Sequence, residues 1–276
     1  MGFQINTNTA ANTAYRNLSS TQNDISKSLE KLSSGLRINR AADDAAGLSI
    51  AEGLRSQVNG LGVAARNAQD GISVVQTAEG ALTEVHSILQ RVRDLAVQSG
   101  NDSNNADART AIKAEVTALS DELTRIGNST NFNGTNLLDG SATLTFQVGA
   151  GSTAANDQIE VDLSGADIKT LGATIGALDF DSAENALTTI AALDTSIKDI
   201  STSRSELGAV QNRFESAINS INVSQENLAA AESRIRDTDM AKEMASFTRS
   251  NILSQAGTAM LAQANQMNQG VLQLLR

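Results

Sequence analysis

The sequence predicts a mainly α fold: an elongated antiparallel helical bundle of the coiled-coil kind, with one β-hairpin and paired terminal helices. Three observations carry this. Apolar residues recur at alternating steps of four and three along most of the 276 residues, the spacing of a helical seam that seeks a partner helix. Proline is absent and aromatics are 3 % of the chain, so no helix must kink at a proline and the apolar content is aliphatic and rich in alanine. Only one stretch, residues 143–163, changes to a period of two, the period of a strand.

The elements follow in order. Tyr15, Leu18, Ile25, Leu29, Leu32 and Leu36 fit one heptad register, interrupted by Gln22, and Gly35 marks its break. Residues 37–47, RINRAADDAAG, read as a connector. A long helix over about 44–99 carries Val75, Ala78, Leu82, Val85, Leu89, Val92 and Ala96, with Gly100 at its C-terminal end. A shorter helix over about 104–127 carries Ile112, Val116, Leu119, Leu123 and Ile126, with Asn104 and Asp107 as its expected cap pair. In the hairpin, Leu144, Phe146 and Val148 alternate with Thr145 and Gln147, and Ile159, Val161 and Leu163 alternate with Glu160 and Asp162. The last long helix, about 182–235, starts at an expected Asp181–Glu184 cap. Its seam is Ala186, Leu193, Ile200, Leu207, Phe214, Ile221, Leu228 and Ile235. At 1.5 Å per residue the two long helices each run about 80 Å, so they match in length and are expected side by side as a rod.

The chain ends differ from the rest. Gly2–Tyr15 and Asn251–Leu275 carry no charged side chain, whereas the whole chain has a formal charge of -10. The last stretch places Leu253, Gly257, Met260, Ala264, Met267, Val271 and Leu274 on a heptad seam flanked by Gln, Asn, Ser and Thr. A helix with no charge on any face suits burial among protein surfaces, so the ends read as assembly segments. Gln255, Gln263, Asn265, Gln266, Asn268, Gln269 and Gln273 in the same stretch speak against a membrane span. The start lacks a basic and then apolar leader, so any export is expected to use a route that reads no cleavable leader.

Signals for chemistry are sparse. With no cysteine there are no disulfides or thiolate metal sites. His86 has no second histidine to share a metal or a proton. GLGVAA at 60–65 matches a dinucleotide fingerprint in letters only, because it lies inside a helical stretch. Asp43–Asp44 and Asp237–Asp239 read as caps and hinge contacts. The acidic balance, with a pI near 4.6, offers no phosphate-binding footprint. No catalytic, cofactor or metal residue is expected, and neither nucleic acid nor membrane is an expected partner.

Several long motifs resemble bacterial flagellin. LSSGLRINRAADDAAGLSIAEGLRSQVNGL from Leu32, NAQDGISVVQTAEGALTEVHSILQRVRDLAVQSGN from Asn67 and NFNGTNLLDG from Asn131 are similar to its N-terminal signature. LGAVQNRFESAINSI from Leu207, AESRIRDTDMAKEM from Ala231, ILSQAGTAMLAQAN from Ile252 and the closing VLQLLR are similar to its C-terminal one. The resemblance implies a structural, non-enzymatic subunit of the extracellular flagellar filament. It implies export unfolded through the flagellar type III apparatus with an export chaperone. Implied partners are further copies of the chain and the hook-associated junction and cap proteins. It also implies that residues 1–43 and 236–276 line an inner tube, with 44–235 forming the rod around it. Only Ser164–Leu187 stands where larger members insert outer domains. The same patterns recur more weakly in hook–filament junction proteins, the alternative reading. The opening MGFQINTN, and Asn268 where many members carry Pro, depart from the family pattern.

The resemblance further implies a patch for the animal flagellin-sensing Toll-like receptor: Leu89, Gln90, Arg91, Arg93, Leu95, Gln98 and Glu115, with Asp94 where many members have Glu. The terminal segments, poor in strong helix formers, are expected to lack partners in the single chain and to order on polymerisation.

Overall fold

The computed structural model describes the backbone of residues 8–274 and the side chains of residues 8–266. Packing divides the chain into two units, residues 57–226 and residues 1–56 with 227–276. The boundaries fall inside the two long helices, whose outer turns are joined to each other by Arg236 and Glu52.

The unit of residues 57–226 is built on those two helices, α2 (Ala45–Ser99) and α6 (Ala183–Arg236). They run antiparallel: Gly71 meets Phe214, Glu79 pairs with Arg204, and Arg93 pairs with Asp194. Their facing seams are large and aliphatic. Val75, Leu82, Val85, Leu89 and Val92 of α2, with Leu193, Ile200, Leu207, Phe214 and Ile221 of α6, are all buried. Helix α3 (Ala106–Ser129) adds Ile112, Val116, Leu123 and Ile126 to the same core. Side chains of this size each gain about 1.5–3 kcal/mol from burial, so this seam holds itself together.

Strands β3 (Thr143–Gln147) and β4 (Gln158–Asp162) pair antiparallel, with Thr143 opposite Asp162 and Gln147 opposite Gln158. Ile159 and Val161 point into the core, and Gln158, Glu160 and Asp162 point out. Phe146 meets Phe214 edge-on, with centroids 5.6 Å apart, a preferred aromatic geometry. The Asn67 side chain donates to the Gln147 carbonyl at 3.0 Å, tying the hairpin to α2. A single turn of helix, α4 (Ala154–Asp157), fills the loop.

The structure adds elements that the spacing does not predict. Strands β1 (Asn131–Phe132) and β2 (Thr135–Asn136) form a small second hairpin. Its turn residues Asn133 and Gly134 have φ of 50° and 83°, the left-handed pair that an Asn-Gly hairpin turn requires. Helix α5 (Ile168–Gly176) occupies part of the segment after the large hairpin and packs closely on α3. There the Ser120 hydroxyl donates to the Gly172 carbonyl at 2.8 Å. Two caps also shift by one residue. Asn105, not Asn104, caps α3 by accepting from Ala108 N–H, and Ser182, not Asp181, accepts from Asn185 N–H. Asn104 instead donates to the Gln98 carbonyl within the turn.

The unit of residues 1–56 and 227–276 pairs α1 (Thr9–Ser34) with α7 (Met240–Leu274). Among the described residues no helix is long and apolar enough to cross a membrane.

Two glycines of α2 predict opposite responses to one substitution. A methyl group on Gly71 would sit 2.6 Å from the Phe214 ring, whereas one on Gly80 meets open space. Gly71→Ala is expected to destabilise the chain by about 1–3 kcal/mol through overpacking, and Gly80→Ala to stabilise it by about 0.5–1 kcal/mol. Denaturant midpoints of the two variants check both signs.

Candidate assembly surface

The pair of α1 and α7 begins with one side chain. The Asn8 side-chain oxygen caps α1 by accepting from Ala11 N–H at 3.0 Å, and its amide donates to the Ala264 carbonyl of α7 at 3.0 Å. From there the helices run antiparallel, with Leu18 beside Gly257. The inward face of α1 is Ala11, Ala14, Leu18, Thr21, Ile25, Ser28 and Leu32. That of α7 is Phe247, Ser250, Ser254, Gly257, Leu261 and Ala264. Both follow the four-three spacing, yet more than half of these residues are small or polar. Among the described residues of the two helices only Ser28 and Ala264 are buried.

Several large apolar side chains lie outside this seam. Tyr15 and Met260 are each 64 % exposed, Ile252 61 %, Leu29 57 % and Leu253 53 %. Leu253, Ala256 and Met260 of α7 form one wall of an open groove of about 610 Å³, whose other wall is Ala10, Thr13, Ala14 and Asn17 of α1. A contiguous apolar face of this kind on a single chain marks an interaction surface.

The comparisons with known proteins bear on what covers it. The model of the bacterial flagellin N-terminal helical region matches residues 5–143, and that of the C-terminal helical region matches 190–275. The flagellin of Halalkalibacterium halodurans is 54 % identical over 273 residues, covering 99 % of each chain. The chain belongs to the bacterial flagellin family. The flagellin of Bacillus subtilis is 51 % identical over 307 residues, covering 99 % of this chain and all of that one. The solved Bacillus cereus flagellin is 34 % identical, covers 60 % of this chain and 94 % of its own, and has a TM-score of 0.49. As a flagellin, the chain is a structural subunit of the extracellular flagellar filament.

The flagellin's terminal segments find one partner in the single chain, namely each other, contrary to the expectation that they lack one. The predicted assembly residues divide. Leu18, Ile25 and Leu32 lie half-buried in the helix pair, Leu36 lies half-buried just past α1, and Ala264 is buried. Tyr15, Leu29, Leu253 and Met260 do not join that seam. In α7 the seam keeps Gly257 and Ala264 and takes Ser254 and Leu261 in place of their neighbours Leu253 and Met260. Met267, Val271 and Leu274 lie outside the described side chains. Of the predicted rod seam, Leu193, Ile200, Leu207, Phe214 and Ile221 are buried and Leu228 is half-buried.

The receptor-like patch also divides. Leu89 and Leu95 are core residues, whereas Gln90, Arg91, Gln98 and Glu115 are exposed and Arg93 is half-buried. Arg91 donates from two nitrogens to one Glu115 oxygen, at 2.6 and 2.9 Å. Arg93 and Asp194 are joined at 2.6 Å. Their mutual hydrogen bond, reinforced by charge attraction, raises the arginine's pKa and lowers the carboxyl's. His86 shares a 2.9 Å contact with Gln90, and no group of three metal-ligating side chains exists among the described residues.

Where both helices of this unit break, the chain closes a clasp. Gly35, at φ 73°, ends α1 with its N–H on the Lys31 carbonyl. Arg37 N–H then donates to the Arg236 carbonyl at 2.6 Å, and Thr238 N–H to the Gly35 carbonyl at 3.0 Å. Arg236 reaches Glu52 at 2.8 Å, and Ile38 and Ala51 are buried in the same unit. Asp44 caps the next helix through Gly47 N–H, and Asp239 accepts from Ala241 and Lys242 N–H.

Asp43 accepts from the N–H groups of Arg40 and Asn39 at 2.9 and 3.1 Å. These two bonds, Arg40's first, hold its carboxyl below the ordinary 3.8. A depressed folded value stabilises above the unfolded pKa, and the contribution is lost as pH falls through the folded one. Asp43→Ala is therefore expected to lower the melting temperature at pH 7, with the gap to wild type closing as pH falls below 3.8. A gap that stays constant on acidification contradicts this role.

Proposed function

We propose that this flagellin polymerises by covering the open face of its α1–α7 pair with the same helices of neighbouring copies. The single observation that carries the reading is the uncovered apolar surface: small or polar residues make up more than half of the inside of the pair, while Tyr15, Leu29, Leu253 and Met260 stay outside. One surface meeting a different surface on the next copy makes a contact that does not close, and such contacts generate helical filaments. In this reading residues 1–43 and 236–276 line the inner tube and 44–235 form the surrounding rod. The role is structural, with no catalytic step.

The thin seam also supports passage through a narrow type III export channel. A helix pair with so little buried apolar surface is marginally stable alone and opens at small cost. An export chaperone that shields the same apolar face before assembly fits this chemistry. Hook-associated junction and cap proteins are the partners at the two filament ends, where the face would otherwise stay uncovered.

Met260→Asp tests the assembly reading. In the single chain Met260 is 64 % exposed, so helicity and melting are expected to stay unchanged. In the polymer the carboxylate would be buried without a partner, a cost of several kcal/mol, and seeded filament growth is expected to fail. Normal growth by this variant would place Met260 on a free surface of the filament.

The flagellin-sensing Toll-like receptor of animal hosts is a further partner under this proposal. Its support is the exposed Arg91, held in one orientation by Glu115, which offers a planar, multi-donor contact. Arg91→Ala is expected to weaken receptor binding by the free subunit by more than about 1 kcal/mol, measured by titration. Equal binding by the two subunits removes the site.

A further inference from the structure

Sulfur in this chain is confined to one helix and the first residue. Apart from Met1, the methionines are Met240, Met244, Met260 and Met267, and cysteine is absent. All four lie within α7. Met260 is 64 % exposed and forms part of the groove wall, whereas Met240 and Met244, 47 % and 49 % exposed, lie outside the groove. Met267 lies outside the described side chains.

We propose that Met260 is an oxidation site at which hydroperoxides stop filament growth without dismantling filaments already made. This rests on the reading that a neighbouring copy covers the groove. The Met260 sulfur attacks one oxygen of hydrogen peroxide and the O–O bond breaks. The proton on the transferred oxygen passes to the departing hydroxide, which leaves as water. Sulfur loses two electrons to become the sulfoxide and the peroxide gains them, so the step balances without a metal or cofactor. A flexible apolar thioether becomes a polar, chiral group. The groove's other residues are mostly small or apolar, and of its polar side chains the Thr13 hydroxyl already donates to the Thr9 carbonyl at 2.9 Å, which leaves Thr9 and Asn17 on the opposite wall. Covering the sulfoxide with a second apolar surface would leave a buried polar group short of partners. The thioether is open in the free subunit and closed in the polymer, so oxidation acts on subunits arriving at the tip and spares those behind it. The sulfoxide is reducible by methionine sulfoxide reductases, so the block is reversible.

The test uses the purified full chain, hydrogen peroxide and filament fragments as seeds. Peptide mass spectrometry follows one added oxygen at each methionine. Wild-type subunits oxidised at Met260 are expected to stop elongating seeds and to resume after reductase treatment. Met260→Leu, close in volume, is expected to elongate seeds before and after peroxide, while the double variant Met240→Leu/Met244→Leu stays peroxide-sensitive. In intact filaments Met260 is expected to resist oxidation. Oxidation of Met260 as fast in filaments as in subunits would remove the underlying reading that the groove is covered. Protection in filaments together with normal growth of oxidised wild type, or persistent sensitivity of Met260→Leu, would overturn the oxidation proposal alone.

Discussion

Close approach of α1 and α7 is the constraint on which the rest of the assembly unit depends. Two helices meeting through Ser28, Ser250, Ser254, Gly257 and Ala264 leave little width between them. Leu18, Ile25, Leu32, Phe247 and Leu261 share that face with them, whereas Tyr15, Leu253 and Met260 stand on the flanks. Burying each of them is worth about 1.5–3 kcal/mol, and the single chain forgoes this. The unit of residues 57–226 obeys the opposite arrangement. Its seam is filled by large groups such as Leu82, Leu89, Leu193 and Phe214, all buried, and it satisfies itself without a second copy. One chain thus carries one self-sufficient packing solution and one that leaves large apolar groups uncovered.

The clasp at residues 35–47 and 236–239 serves the same division. A helix break exposes backbone groups that must find partners. Here the Arg37, Thr238 and Gly35 backbone groups bond across the two breaks, and the Asp43, Asp44 and Asp239 carboxylates take up further N–H groups. These aspartates are therefore structural groups that fix where the helices stop and restart. An exposed ion pair beside them, such as Arg40–Glu30, contributes little to stability by itself. The backbone bonds of the clasp instead fix the register of the terminal pair.

Much of this is legible in the sequence where the physical signal is strong. The four-three spacing of Leu193 through Ile221 reports a wide aliphatic seam, and the alternation at Leu144–Val148 and Ile159–Leu163 reports a half-buried hairpin. The terminal seam of α7 shares Gly257 and Ala264 with its apolar periodicity and departs from it by one residue at the other two positions. Leu253 and Met260 carry that periodicity but face outward, while Ser254 and Leu261 face in. Small polar residues at a helix contact carry no hydropathy signal. The second hairpin escapes a reading by alternation, although Asn133–Gly134 is a strong turn signal, because its strands are only two residues long. Helix α5 escapes too, because a nine-residue helix gives too few turns for a period to stand out. The charge-free ends point to an assembly segment, but not to which face it keeps for its neighbours.

In the proposed filament, the groove that α1 and α7 leave open in one chain is filled by another. A helical reconstruction of the native filament at side-chain resolution tests this most directly. Tyr15, Leu29, Leu253 and Met260 are expected in contact with neighbouring copies and shielded from solvent. Finding Leu253 and Met260 facing an open lumen or the outer solvent would contradict it.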